Sequence, residues 1–158
     1  MNQDQNFNRA TINFVSEKEF RNGVMPRAKL SKLACEIALE KTSNTEIKEF
    51  AGWELMEATT VIEVLEDLGT SQTTLSSDAS AILSKLKNLD ESAFEKEYMA
   101  AELSNHEFLR NLAHDYLNTQ QVKPLGKDKE TWHVAGLALF AFTEHVGLCK
   151  KIITSLNA

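Results

Sequence analysis

Apolar side chains recur every three or four residues through four long stretches of this chain, each of roughly 25 residues, and helix-capping signals stand between them. No other feature constrains the fold as much. A period near 3.6 belongs to helices that turn one face to a core, and it cannot supply the alternation of a half-buried strand. Six glycines and two prolines among 158 residues are also too few for a turn-rich β-protein. The chain therefore reads as all-α. Its length fits one domain, with residues 1–13 as a polar, flexible N-terminal arm and 14–158 as a single four-helix bundle.

The first helix is expected from Phe14 to Thr42, with a kink or fresh start at Gly23 and Pro26. Leu30, Leu33, Ala34, Ile37 and Ala38 form its stripe, flanked by the small residues Ala28, Ser31 and Cys35. Ser43 with Glu46 reads as a capping box for a second helix, which Gly69 ends in the left-handed conformation. Residues 69–90 differ in character, holding a polar Gly-Thr-Ser-Gln-Thr-Thr stretch and a short amphipathic piece from Asp78 to Lys87. Ser92 with Glu95 reads as the box opening a third long helix that runs to about Asn118. Asp128 is the expected cap of the last helix, after a loop containing Pro124 and Gly126.

Charge narrows the functional classes. With 23 acidic and 17 basic residues the net charge is −6, and no basic cluster offsets it, so nucleic acid is not an expected partner. The longest apolar run, Val134 to Phe142, is less than half of the roughly 20 residues needed to span a bilayer and reads as a buried core helix. Cys35 and Cys149 have neither redox nor zinc spacing and are expected as buried free thiols. The N-terminus lacks an apolar signal region, so the chain as it stands is expected in the cytoplasm, or in the periplasm if an export signal has been removed.

The polar residues that interrupt the apolar stripes carry the functional reading. Glu54 lies between Phe50 and Ala58, with Glu57 a turn away; Glu102 and His106 are four apart on one helical face; His145 sits between Phe142 and Cys149. Carboxylates and imidazoles projecting inward at one level are what a bundle needs to hold iron or manganese. The candidate metal ligands are thus Glu54, Glu57, Glu102, His106 and His145. A di-iron bundle, however, uses two Glu-x-x-His pairs, and the chain holds one, Glu130 to His133, at the start of its last helix. His114 and His133 read as surface residues.

Leu33 to Ala51, Phe94 to Met99 with His106, and Glu144-His145 together resemble a ferritin-like bacterial family, domain of unknown function 4142, whose members are often described as outer-membrane or periplasmic proteins. The likeness covers about residues 14 to 153. It implies a ferritin-like four-helix bundle, and it places Tyr98, His106 and His145 at characteristic positions. Two departures stand out: Glu57-Ala58 where the family usually has Asp-His, and Ser31 where a first-helix Glu is common. Both remove potential ligands.

Helix connections in bundles take about two to eight residues, so the long stretch from 69 to 90 is able to run the length of the bundle, as the ferritin-type crossover does. Counted at about 1.5 Å per residue in that arrangement, Ser31, Glu57, Glu102 and His145 fall within roughly 5 Å axially, with His106 about one turn further. An up-down-up-down bundle brings most of them near one level as well. The leading expectation is a non-enzymatic bundle that acts by binding or assembly, in envelope or stress physiology by the resemblance, with no cofactor required and self-association or an unknown protein as partner. The alternatives are an iron- or manganese-dependent oxidase or catalase-like enzyme built on the five candidate ligands, and a membrane-surface or partner-helix binder using apolar area near Phe14 and Phe20.

Overall fold

A computed structural model describes residues 14–120, 123–126 and 128–158. The arm expected over residues 1–13 lies outside them. Five helices and no strand occur among the described residues: α1 Glu17–Lys41, α2 Thr45–Asp67, α3 Ser77–Asn88, α4 Glu91–Thr119 and α5 Asp128–Leu156. The amphipathic piece at Asp78 to Lys87 is thus a helix in its own right, α3. No described helix is long and apolar enough to cross a membrane.

Local chemistry sets the helix ends, in places by other residues than the spacing implies. α1 starts at Glu17, three residues later than expected, because Ser16 and Glu19 form a reciprocal capping box there. It continues through Pro26, which normally costs about 3 kcal/mol in a helix interior. Burial of Phe20, Val24 and Met25 before it and Ala28 and Leu30 after it anchors both halves of one continuous helix. Gly23 permits a close approach: a Cβ there would lie 2.6 Å from Cδ2 of Leu112. Asn44, not Ser43, caps α2, accepting from the amides of Glu46 and Ile47. Asp90, not Ser92, caps α4. One residue of each expected box is used elsewhere, Ser43 bonding to Glu91 and Glu95 accepting from Thr42, so the α1–α2 turn is pinned to the start of α4. Asp128 is the first residue of α5, and Gly69 adopts a φ of 85° after α2.

Two core clusters reveal how the helices run. One joins the C-terminal half of α1 and the N-terminal half of α2 to the start of α4 and the end of α5, through Cys35, Ile47, Phe94, Tyr98 and Cys149. The other joins the opposite ends, through Phe20, Leu65, Leu109, Tyr116 and Ala135. So α1 is antiparallel to α2, α4 runs the same way as α2, and α5 the same way as α1. The chain between α2 and α4 must therefore travel the length of the molecule. α3 fills part of that path, burying Leu83 and Leu86 against α1 and α4. Lys41 donates to the carbonyls of Leu86, Lys87 and Leu89, placing a cation at the C-terminal end of α3.

The packing is uneven. α1 pairs closely with α2 and with α4, and α4 with α5, whereas α2 and α5 meet more sparingly. The Val134 to Phe142 run is not buried throughout: Ala135, Ala138 and Phe142 face the core, while Leu137 and Phe140 are 75% and 70% exposed. A continuous apolar run carries no period, so only packing could decide which residues turned inward. Phe20, placed by sequence among exposed apolar residues, is fully buried and stacks on Tyr116 at 4.8 Å, and Phe14 alone of that pair is exposed.

Candidate functional site

Between the two apolar clusters lies a layer of buried polar side chains. Helical spacing delivers them: Glu54 projects from the inner stripe of α2 between Phe50 and Ala58, Glu102 and His106 from successive turns of α4, and His145 from α5 between Phe142 and Cys149. Glu54, Glu102 and His106 are 3%, 2% and 0% exposed, which leaves them to satisfy one another.

One carboxylate oxygen is the focus. Oε2 of Glu54 accepts from Nδ1 of His145 at 2.8 Å and from Nε2 of His106 at 3.1 Å, and the two ring nitrogens are 3.3 Å apart. These three ligand-type atoms form the group able to hold a metal ion among the described residues. Nδ1 of His106 lies 2.8 Å from the backbone carbonyl of Glu102, which can only accept, so this nitrogen carries a proton. With Nε2 also donating to Glu54, His106 is an imidazolium.

The electrostatics follow. Burial alone would lower the basicity of His106, but the Glu54 charge and the bonds to Glu54 and Glu102 outweigh it and raise its pKa to about 9. Burial likewise opposes the ionised form of Glu54, yet His106 and His145 hold its carboxyl down at about 2. Glu102 goes the other way. Burial, then repulsion from Glu54, lifts it to about 7 against the pull of His106 and the Ser31 bond. Burial and the Glu54 charge raise Glu57 too. Glu57 stands 3.5 Å from Nε2 of His145 at the solvent side of the layer, where its side chain is 22% exposed.

All five sequence candidates therefore meet in one layer, although only Glu54, His106 and His145 share a common point. Glu102 lies behind His106, its Oε2 3.5 Å from Nδ1. Glu130 and His133 are exposed at the start of α5 and take no part. Ser31 sits inside the layer: its hydroxyl donates to Oε2 of Glu102 at 2.7 Å. Nδ2 of Asn105 donates in turn to Oγ of Ser31 at 3.0 Å and to the carbonyl of Arg27 at 3.1 Å, and Arg27 returns a bond to Asn105. Sequence reasoning missed Asn105 and Arg27. A buried amide beside His106 was legible only as one more polar residue on α4.

Aromatic rings wall the layer. Phe50 packs edge-on to His145 at 5.4 Å, and Phe142 to His106 at 6.0 Å. Tyr98 lies one turn before Glu102, with its hydroxyl 3.2 Å from Sγ of Cys35. Burial pushes both the Tyr98 phenol and the Cys35 thiol well above their ordinary values, so each stays neutral.

No curated protein and no solved structure matches the chain. A family model does match over residues 28–148, a stretch that carries Ser31 and all five acidic and imidazole residues of the layer, and the chain belongs to that family, the domain of unknown function DUF4142.

Proposed function

We propose that this protein is a ferritin-like four-helix bundle that acts by binding, and that its buried layer holds one divalent transition-metal ion, iron or manganese. The parallel course of α2 and α4, joined by a segment running the length of the molecule, supports the ferritin-like reading. The observation that carries the metal is the triangle of Glu54 Oε2, His106 Nε2 and His145 Nδ1, with edges of 2.8, 3.1 and 3.3 Å. Neighbouring ligands of a six-coordinate ion with bonds of about 2.1 Å are roughly 3 Å apart, so the donor set fits such an ion with little movement once the ion displaces the protons on Nε2 of His106 and Nδ1 of His145.

The surrounding residues favour one ion over two. Glu102 is engaged by Ser31 and, raised to about 7, is only partly ionised near neutral pH, and α1 offers a hydroxyl where a second ion would need a carboxylate. The bond from Nδ1 of His106 to the Glu102 carbonyl turns Nε2 toward the ion, the usual service of an outer-layer partner. Two imidazoles and one carboxylate suit iron(II) or manganese(II), and the bound ion would supply charge and redox capacity to the core. Phe50 and Phe142 close over the imidazoles, which supports binding rather than turnover.

Protein incubated anaerobically with iron(II) or manganese(II) and then desalted is expected to retain about one ion per chain. His106→Ala and Glu54→Gln are expected to retain less than a tenth as much. Wild-type protein with a full helical circular dichroism spectrum and no retained ion would overturn the proposal.

A further inference from the structure

α2 and α5 present their outward faces side by side, and most of the large exposed apolar side chains of the described residues gather there. Trp53 and Met56 on α2 are 60% and 57% exposed; Leu137, Phe140 and Leu148 on α5 are 75%, 70% and 43% exposed. They form one surface. Trp53 and Leu148 line the same cleft across the α2–α5 seam, and further along it Leu137 lines another with Glu57. Together they offer on the order of 600 Å² of apolar surface, the upper end of what a monomer commonly leaves open. A stable interface needs about 800 Å² per partner, so this patch matches its largely apolar centre, with Glu49 and Lys151 as a charged rim and Glu144, between Leu137 and Leu148 on the same helical line, as the acid within it.

The glycines say what kind of partner fits. Glycine is the poorest ordinary residue for a helix interior, yet α5 carries Gly136 and Gly147 on its outer side. A Cβ at either would meet nothing within 4 Å, so no contact among the described residues accounts for them. Each precedes a leucine, giving Gly136-Leu137 and Gly147-Leu148. The steps are eleven residues apart, which is three helical turns, so they share one line along the helix. If a second α5 is laid antiparallel about a two-fold axis at the level of residue 142, the two steps exchange places. Leu137 then stands over the partner copy's gap at 147, and Leu148 over its gap at 136. A pattern that maps onto itself under a two-fold rotation is what an isologous contact requires.

We infer that the outer face of α2 and α5 is a two-fold interface with a second copy of this chain, in which each copy's Leu137 and Leu148 seat over the other's Gly147 and Gly136. Phe140, Trp53 and Met56 surround that contact as its apolar centre. The interface lies beside Glu57, at the solvent side of the polar layer, and so covers the layer's open edge. It stands independently of whether the layer holds a metal.

Sedimentation equilibrium of the full chain from about 1 to 100 µM tests this, with a dimer expected at twice the 17.7 kDa chain mass. Gly147→Leu fills a gap that is open in the monomer, so its helical spectrum should persist while the dimer dissociation constant rises at least tenfold. Leu137→Glu should weaken the dimer as much. A mass of 17.7 kDa throughout the range would overturn the inference. So would a Gly147→Leu dimer as tight as wild type, since added apolar surface harms only a closely fitted contact. Flotation of a monomeric wild type with phosphatidylcholine–phosphatidylglycerol vesicles, tighter still for Gly147→Leu, would reject it in favour of a lipid-binding face.

Discussion

Nδ1 of His145 on α5 lies 2.8 Å from Oε2 of Glu54 on α2, tying together two neighbouring helices that otherwise touch sparingly. The same oxygen receives Nε2 of His106 from α4, so one atom links three helices at the middle of the core. Buried pairs of this kind add little net stability when complete, but they are costly to break.

Truncating one partner exposes that asymmetry. His106→Ala leaves the Glu54 carboxylate buried with half its donors, and a loss of about 3–5 kcal/mol is expected. His114→Ala, at an exposed position, should stay within about 0.5 kcal/mol of wild type. Urea denaturation of the two variants makes the comparison, and equal midpoints would contradict the assigned burial.

Stability of the metal-free protein should peak at about pH 5. The depressed Glu54 stabilises the fold above its ordinary 4.5, and this is lost as pH falls toward about 2. The raised His106 contributes fully below its ordinary 6.5, and its contribution is lost as pH rises through about 9. Glu102, also raised, favours the fold below 4.5, with loss as pH rises through about 7. Urea midpoints should therefore decline on both sides of the maximum, and Glu102→Gln should flatten the decline between pH 5 and 7. A midpoint climbing steadily to pH 9 would contradict this.

Ser31→Ala removes the hydroxyl that donates to Glu102 and accepts from Asn105. Leaving buried polar groups unpaired is expected to cost about 1–3 kcal/mol. Because the Ser31 bond holds Glu102 down, its loss should also raise the Glu102 pKa further, measurable as the carboxyl carbon shift in an NMR titration. An unchanged titration would show that the serine does not act on that carboxylate.

Leu109→Ala and Phe142→Ala each truncate a buried side chain of the second core cluster, at an expected cost of about 2–5 kcal/mol. Phe142→Ala also opens the wall beside His106, so it should speed hydrogen–deuterium exchange around the layer as well as lower the denaturation midpoint. Midpoints matching wild type would mean the inner faces of α4 and α5 are wrongly assigned.

Cys35 and Cys149 are free and buried, and burial pushes both thiols well above their ordinary range. Native protein should therefore react with a thiol reagent only slowly, reaching two thiols per chain after denaturation. Reductant should change neither the mass nor the melting temperature. A two-proton mass gain with a fall in melting temperature would reveal a disulfide instead.

How much of this was legible in the sequence depends on the range of the interaction involved. Helix periods, the left-handed stop at Gly69 and the inward placement of Glu54, Glu102, His106 and His145 come from spacing along one helix, a local property. The exact caps were less legible, because Asn44 competes with Ser43 and Asp90 with Ser92 for the same role. Ser43, which loses to Asn44, is claimed instead by Glu91, 48 positions away. Leu137, Phe140 and Phe142 show a second limit: in an unbroken apolar run, nothing local marks which residues face the core.

By itself the sequence determined that the chain is helical, that the helices carry polar residues on their inner stripes, and that α2 and α4 are separated by a connection too long for a simple turn. Spacing within one helix suffices for each of these. Only the tertiary structure decided that α2 and α4 run the same way, that Glu54, His106 and His145 meet at one point, and that Ser31 supports Glu102. Those relations join residues between 39 and 91 positions apart, and their geometry exists only once separate helices are packed at one level.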